Sequence, residues 1–151
     1  MTAKTPTNEQ LPRWLVQDIM HHAQCSADKE VCGLLGGKDG VVVSHYKIAN
    51  VAETPANRFA LDPTQQIAAT KKMRDRDEHL FAIYHSHPTA AATPSDRDYD
   101  EIGYDNALYL IISLNTKGVL EIGGWKIAGD GFTEVELDMV ETARPAAQSA
   151  A

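Results

Sequence analysis

The stretch IYHSHPTAAATPSDRDYD, residues 83–100, decides the reading of this sequence. It begins at the end of an apolar, β-favouring run, LFAIYHSHP, which Pro88 stops because proline cannot donate to a sheet ladder. In a strand, residues i and i+2 share a face, so His85 and His87 present both imidazoles to one space. A flexible alanine loop follows. TPSD then reads as a helix start, with Thr93 as cap, Pro94 in the first helical position and Asp96 as the capping-box partner. A helix begun at Pro94 carries Ser95 in its first turn and Asp98 in its second, on one face. If the loop folds back, that face meets the histidines.

Two imidazoles and a carboxylate suit Zn²⁺, which takes N and O ligands at roughly 2.0–2.2 Å. Three protein ligands leave the fourth tetrahedral position open for water, the arrangement of a catalytic zinc. A bare His-x-His on a strand edge is weak evidence of metal. Pro88, Ser95 and Asp98 at their spacing strengthen it. A water activated by zinc still needs a base, and no carboxylate follows directly on the histidines. The candidate is Glu30, an acid at the start of the otherwise apolar, glycine-rich EVCGLLGG, where Gly33, Gly36 and Gly37 would let other backbone approach closely. Cys32 shares Glu30's face of that strand. Between a thiol ligand and a small buried hydrophobe, the burial habits of cysteine favour the second.

Outward from this stretch, helical and strand patterns alternate. LPRWLVQDIMHHAQ places Leu11, Leu15, Val16, Ile19, Met20 and Ala23 at helical spacing, with Pro12 in the first turn. His21 and His22 read as surface residues of this helix. EVCGLLGG and VVVSHYKIANV read as strands joined through KDG, with His45 structural. Asp62, Pro63 and Gln65 read as cap, first-turn proline and capping-box partner of a helix through QQIAATKKMRDRDEH. Arg58 and Phe59, in NRFALDP, read equally as groove lining or loop anchor. ALYLIISL, VLEIGGWKI and FTEVELDM are three further strands, and ALYLIISL, apolar on both faces, is expected in the middle of the sheet. The pattern predicts an α/β protein with a mixed sheet flanked by helices. One domain over residues 10–141 is expected, with flexible termini at 1–9 and 142–151.

Composition excludes several classes of function. A hydrophobic content of 43% and charged content of 23% are those of a globular domain. A net charge of −7 without a basic stripe argues against nucleic acid as the partner. The densest charged run, KKMRDRDEH, alternates its signs and reads as a solvated helix face. MTAKTPTNEQ has no apolar core of a secretory signal, and no apolar run nears the roughly 20 residues of a membrane helix. Cys25 and Cys32 form neither a C-x-x-C nor a disulfide framework, so a reducing cytoplasm is expected.

The spacing H-x-H-P-x(6)-S-x-x-D, together with the upstream Glu of EVCGLLGG, resembles the JAMM (MPN+) family of zinc metallopeptidases over roughly residues 11–140. The resemblance implies the family's cytidine-deaminase-like mixed β-sheet flanked by helices. It implies His85, His87 and Asp98 as ligands of one Zn²⁺ per chain, water being the fourth. It makes Glu30 the general acid/base and Ser95 the serine that stabilises the tetrahedral oxyanion. Many eukaryotic relatives carry Gly-Trp where this chain has Ala82 and Ile83, so the kinship points to compact bacterial and archaeal members. The family cleaves peptide or isopeptide bonds after the C-terminal tail of ubiquitin-like proteins, and small single-domain members resemble peptidases that trim sulfur-carrier proteins of that type. The alternatives are a deubiquitinase-like isopeptidase of broader specificity, or a non-catalytic MPN scaffold, although scaffolds typically lack the ligands kept here. A DNA-repair relative is disfavoured by the acidity, and a zinc deaminase by the missing H-x-E and P-C-x-x-C elements.

Overall fold

The computed structural model describes residues 8–95, 107–115, 121–128 and 131–145. Their elements follow in the order β1 (Asn8–Pro12), α1 (Arg13–Gln24), β2 (Cys32–Lys38), β3 (Val41–Ile48), α2 (Pro63–Asp75), β4 (His79–His87), β5 (Leu108–Ser113), β6 (Glu121–Ala128) and β7 (Gly131–Val140). The strands form one mixed sheet, ordered β1-β7-β6-β5-β4-β2-β3. The β4–β5 and β1–β7 pairs are parallel and the rest antiparallel. β5 is central, with all six side chains buried, as its two-sided apolar run predicts. The edge strands β1 and β3 approach each other, so the sheet curls.

Each helix covers one face. α1 packs Trp14, Leu15, Val16, Ile19 and Ala23 with Leu35, Tyr84, Leu108, Leu110 and Ile112. A fully buried aliphatic side chain contributes roughly 1.5–3 kcal/mol, so this stripe holds α1 firmly. α2 buries only Ala69 and Met73, against a cluster containing Leu34, Ile83 and Tyr109. It therefore depends more on its anchored N-terminus. Asp62 accepts the Gln65 N–H at 3.0 Å, and Pro63 occupies the first turn. Gln65 does not close the expected capping box. Its side-chain oxygen accepts the Ala49 N–H at 2.7 Å, while the Asp62 N–H donates to Ala49 O at 3.0 Å, which ties the helix start to the end of β3.

The ends of the domain differ from the sequence expectation. Asn8 and Glu9, in the segment expected to be flexible, belong to β1, where Asn8 donates to Asp138 at 2.7 Å and Glu9 pairs with Lys126 at 2.9 Å. Pro12 ends β1 and caps α1 instead of entering its first turn, a place open to proline on an edge strand. Past β7, Arg144 makes two 2.7 Å hydrogen bonds to Asp18 and lies over the Trp14 ring at 4.9 Å. A charged planar fork matched to a carboxylate and an indole holds this segment to α1 without apolar burial.

The β2–β3 hairpin turns on Asp39 and Gly40, both at positive φ (54° and 79°), which matches the twist of the strands. In β2 the glycines make room mostly for side chains rather than backbone. A Cβ on Gly33 would collide with the Tyr84 ring and lie 2.6 Å from the Tyr46 carbonyl oxygen. Tyr84 uses that room to reach a polar cluster between α1, β3 and β4. Its hydroxyl lies 2.6 Å from His22 Nδ1 and 2.5 Å from His45 Nε2, so it donates to one ring and accepts from the other. His22 is thus half-buried and bonded, not the surface residue expected, and His45 is structural as expected.

Two outcomes follow from this packing. Gly33→Ala should destabilise the protein by about 1–3 kcal/mol, read as a lowered urea midpoint, because the clash includes backbone that cannot yield cheaply. Burial, with the charge of Lys47 adding, pushes both His22 and His45 down from 6.5 to about 4. Unfolding lets them take up protons, so their contribution is complete above about 6.5 and is lost as pH falls towards about 4. Melting of the metal-free protein should show this slope, and a His22→Gln/His45→Gln double variant should flatten it. An equal slope in both proteins would contradict the assignment.

Candidate metal and catalytic site

β4 runs in step with β2 from Cys32–His85 to Leu35–Ala82, but the next pair is Gly36–Leu80, which leaves Phe81 as a bulged extra residue. Phe81 and Ala82 both pack on the α1 side, and alternation resumes beyond them. Tyr84 faces α1, while Ile83 and His85 face the α2 side. His85 and His87 therefore emerge together, with their Nε2 atoms 3.1 Å apart.

Both rings are oriented. Phe59 stacks on His85 with ring centroids 4.4 Å apart and planes at 17°. Phe59 is buried, which makes it a loop anchor that also positions a histidine. His87 Nδ1 lies 2.7 Å from the Ala91 carbonyl oxygen. A carbonyl only accepts, so Nδ1 carries the proton and Nε2 keeps its lone pair for the site.

The alanine loop is pinned along three successive carbonyls. Ala90 O accepts from Ser113 Oγ at 2.7 Å, Ala91 O from His87, and Ala92 O from Trp125 Nε1 at 3.1 Å. Gly123 permits this approach, since a Cβ there would strike Ala92 O. Ser113, Gly123 and Trp125 escaped the sequence reading. The glycine pair inside the strand GGW was their one signal, because glycine within a strand marks a close approach.

Glu30 precedes β2 yet is only 5% exposed. Ligand atoms of Glu30, His85 and His87 all lie within 4.8 Å of one another. Glu30 and His87 border an open cleft of about 350 Å³, lined also by Ala56, Asn57, Pro88 and Ser95, and His85 lies buried behind them. Ser95 is exposed on its wall. The structure thus brings together Glu30, His85, His87 and Ser95. Asp98, and the helix expected from Pro94 onward, fall outside the described residues. Cys32 is fully buried and its thiol lies 3.4 Å from Ile48 O. Burial first, and the nearby Glu30 charge second, push that thiol up to about 12. It sits as a small buried side chain against a β3 carbonyl, the second of the two readings.

The donor set fits zinc. Two nitrogens held tetrahedrally at roughly 2.0–2.1 Å from one ion stand about 3.3 Å apart. The observed 3.1 Å needs little adjustment, and the fixed tautomer of His87 presents the correct nitrogen.

Comparison with known proteins places this geometry. The chain matches the Prok-JAB family, prokaryotic homologs of the JAB domain, over residues 12–127. It is 30% identical over 129 residues to the CysO-cysteine peptidase of Mycobacterium tuberculosis, covering 84% of this chain and 88% of that one. It is 35% identical over 91 residues to a probable TtuB-protein conjugate cleaving protease of Thermus thermophilus, covering 60% and 61%. Among solved structures, a protein from Desulfitobacterium hafniense aligns with a TM-score of 0.79 at 32% identity, over 88% of this chain and 93% of that one. The match spans α1, the glycine-rich strand, the histidine strand and the strand that pins the loop, and the chain belongs to the prokaryotic JAB-domain family.

Proposed function

We propose that this protein is a zinc-dependent metallopeptidase that hydrolyses a peptide or isopeptide bond at the C-terminal tail of a ubiquitin-like protein of the sulfur-carrier type. The observation that carries the reading is the cluster of Glu30, His85 and His87, of which Glu30 and His87 line a cleft together with Ser95. His85, His87 and Asp98 would hold one ion per chain. Zinc there would supply a Lewis acid for the scissile carbonyl and would lower the pKa of water towards about 7.

The chain's own residues do the rest. Glu30 takes the proton of the attacking water and returns it to the leaving amine. The Ser95 hydroxyl donates to the carbonyl oxygen as negative charge develops on it. The wall of Ala56, Asn57, Thr89 and Ala90 is small and uncharged, which suits an extended tail of small residues. The mycobacterial relative is named for CysO-cysteine and the Thermus relative for TtuB-protein conjugates, and both names support a substrate joined at such a tail. No helix among the described residues is long and apolar enough to cross a membrane. Both cysteines are free, which supports a reducing compartment such as the cytoplasm.

Glu30→Gln should keep zinc, measured by atomic emission, while cleavage falls by about 10²–10⁴-fold with loss of the acid/base. His87→Ala should lose both metal and activity. A fully active Glu30→Gln protein would sink the mechanism. Incubation with sulfur-carrier and ubiquitin-like proteins bearing C-terminal extensions, read by intact mass, should show loss of the extension. Failure on every one of them with zinc bound would remove the substrate assignment, and a preparation that never takes up zinc would favour a scaffold.

A further inference from the structure

Glu30 lies outside regular structure, so something other than a sheet ladder must fix it. Its N–H donates to Pro55 O at 2.7 Å, and its carbonyl accepts from Asn50 Nδ2 at 2.8 Å. The next residue is clasped by β4: the Val31 N–H donates to Ser86 Oγ at 2.8 Å, and the Ser86 N–H donates to Val31 O at 3.0 Å. Every backbone polar group of residues 30–31 is therefore held, two of the four by side chains from elsewhere in the chain.

Asn50 is the unusual member. A primary amide offers two N–H donors and two acceptor lone pairs, and Asn50 uses all four. Besides Glu30 O, Nδ2 donates to Arg58 O at 2.9 Å, and Oδ1 accepts the N–H groups of Ala52 and Ala60, both at 3.0 Å. Three of these bonds shape the segment 50–60 and one leaves it for Glu30. That segment supplies Pro55 beneath Glu30, Ala56 and Asn57 on the cleft wall, and Phe59 against His85. A loop organiser needs only the three internal bonds. The fourth joins the loop to the acid/base.

We propose that Asn50 is a positioning residue that locks Glu30 to the substrate-side wall of the cleft, so that the acid/base and the wall keep one geometry. The proposal rests on the reading of Glu30 as the acid/base. Asn50 touches no candidate ligand in the bonds above, so its loss should leave metal binding alone. Displacing a reacting group by even about 1 Å costs on the order of 100-fold in rate.

The discriminating variant is Asn50→Asp in the zinc-loaded full chain. It keeps both acceptors for Ala52 and Ala60 but has no donor for Glu30 O or Arg58 O. Hydrogen exchange followed by NMR should show the Glu30 amide opening roughly tenfold faster, the effect of losing about one net hydrogen bond. Zinc per chain should stay at the wild-type value, kcat should fall about 100-fold, and KM should move less than about threefold, since positioning acts in the transition state. If Asn50→Asp melts below the assay temperature, the uncharged Asn50→Ser carries the same expectations. Wild-type exchange at Glu30, or wild-type kcat despite faster exchange, overturns the proposal, as does a change confined to KM. A wild-type chain that holds zinc but cleaves no tail overturns the peptidase reading instead, and exchange at Glu30 then decides for or against the lock.

Discussion

Along β4 successive side chains leave opposite faces of the sheet, and this alternation constrains everything around the site. After the bulge at Phe81 it sends Tyr84 towards α1 and Ser86 to the same face, and His85 and His87 together towards Glu30. One strand thus performs two tasks with interleaved residues. Tyr84 joins the polar cluster under α1, Ser86 grips the backbone next to Glu30, and the histidines between and beyond them cluster with the Glu30 carboxylate. A slip of one residue would exchange the two sets, burying imidazoles against Leu110 and Ile112 and turning the tyrosine into the site.

The neighbours of β4 convert that alternation into a preorganised centre. β5 and β6 reach across with Ser113 and Trp125 to hold the loop carbonyls, and one of those carbonyls sets the tautomer of His87. The segment after β3 holds Glu30 by its backbone through Pro55 and Asn50, and brings Phe59 onto His85. Rigidity is what such chemistry requires, because donors already aimed at the reacting atoms need not reorganise during the reaction. The polar groups of the opposite face are kept neutral by the same burial. His22 and His45 are driven down and Tyr84 well up, so these three groups are uncharged at neutral pH.

Much of this was readable from the residues. ALYLIISL is apolar on both faces because β5 is covered on both, and the Asp-Gly pair declares its turn because both positions need positive φ. The histidine pair announces itself through a period of two. Other features left weaker marks. His22 looks like any polar residue on an amphipathic helix until Tyr84 arrives from 62 positions away. β1 carries little apolar patterning, since its partners are ion pairs and ladder bonds supplied by the far end of the chain. Gln65 fits a capping box by spacing, yet the Ala49 amide competes for it successfully.

Local pattern thus specified the kinds of elements, the shared face of His85 and His87, and the family to which E…H-x-H-P-x(6)-S-x-x-D is similar, because periodicity, turn chemistry and ligand type are short-range properties of the chain. Which acid meets the histidines, how the alanine loop is held, and where Phe59, Trp125 and Asn50 act depended on packing between segments far apart in sequence. Hydrogen bonds such as those from Asn50 to Glu30 and from Trp125 to Ala92 exist only once the sheet order is complete. No local preference encodes them. Their geometry is the sum of strand register, bulge and loop closure, and that sum is defined by the folded chain as a whole.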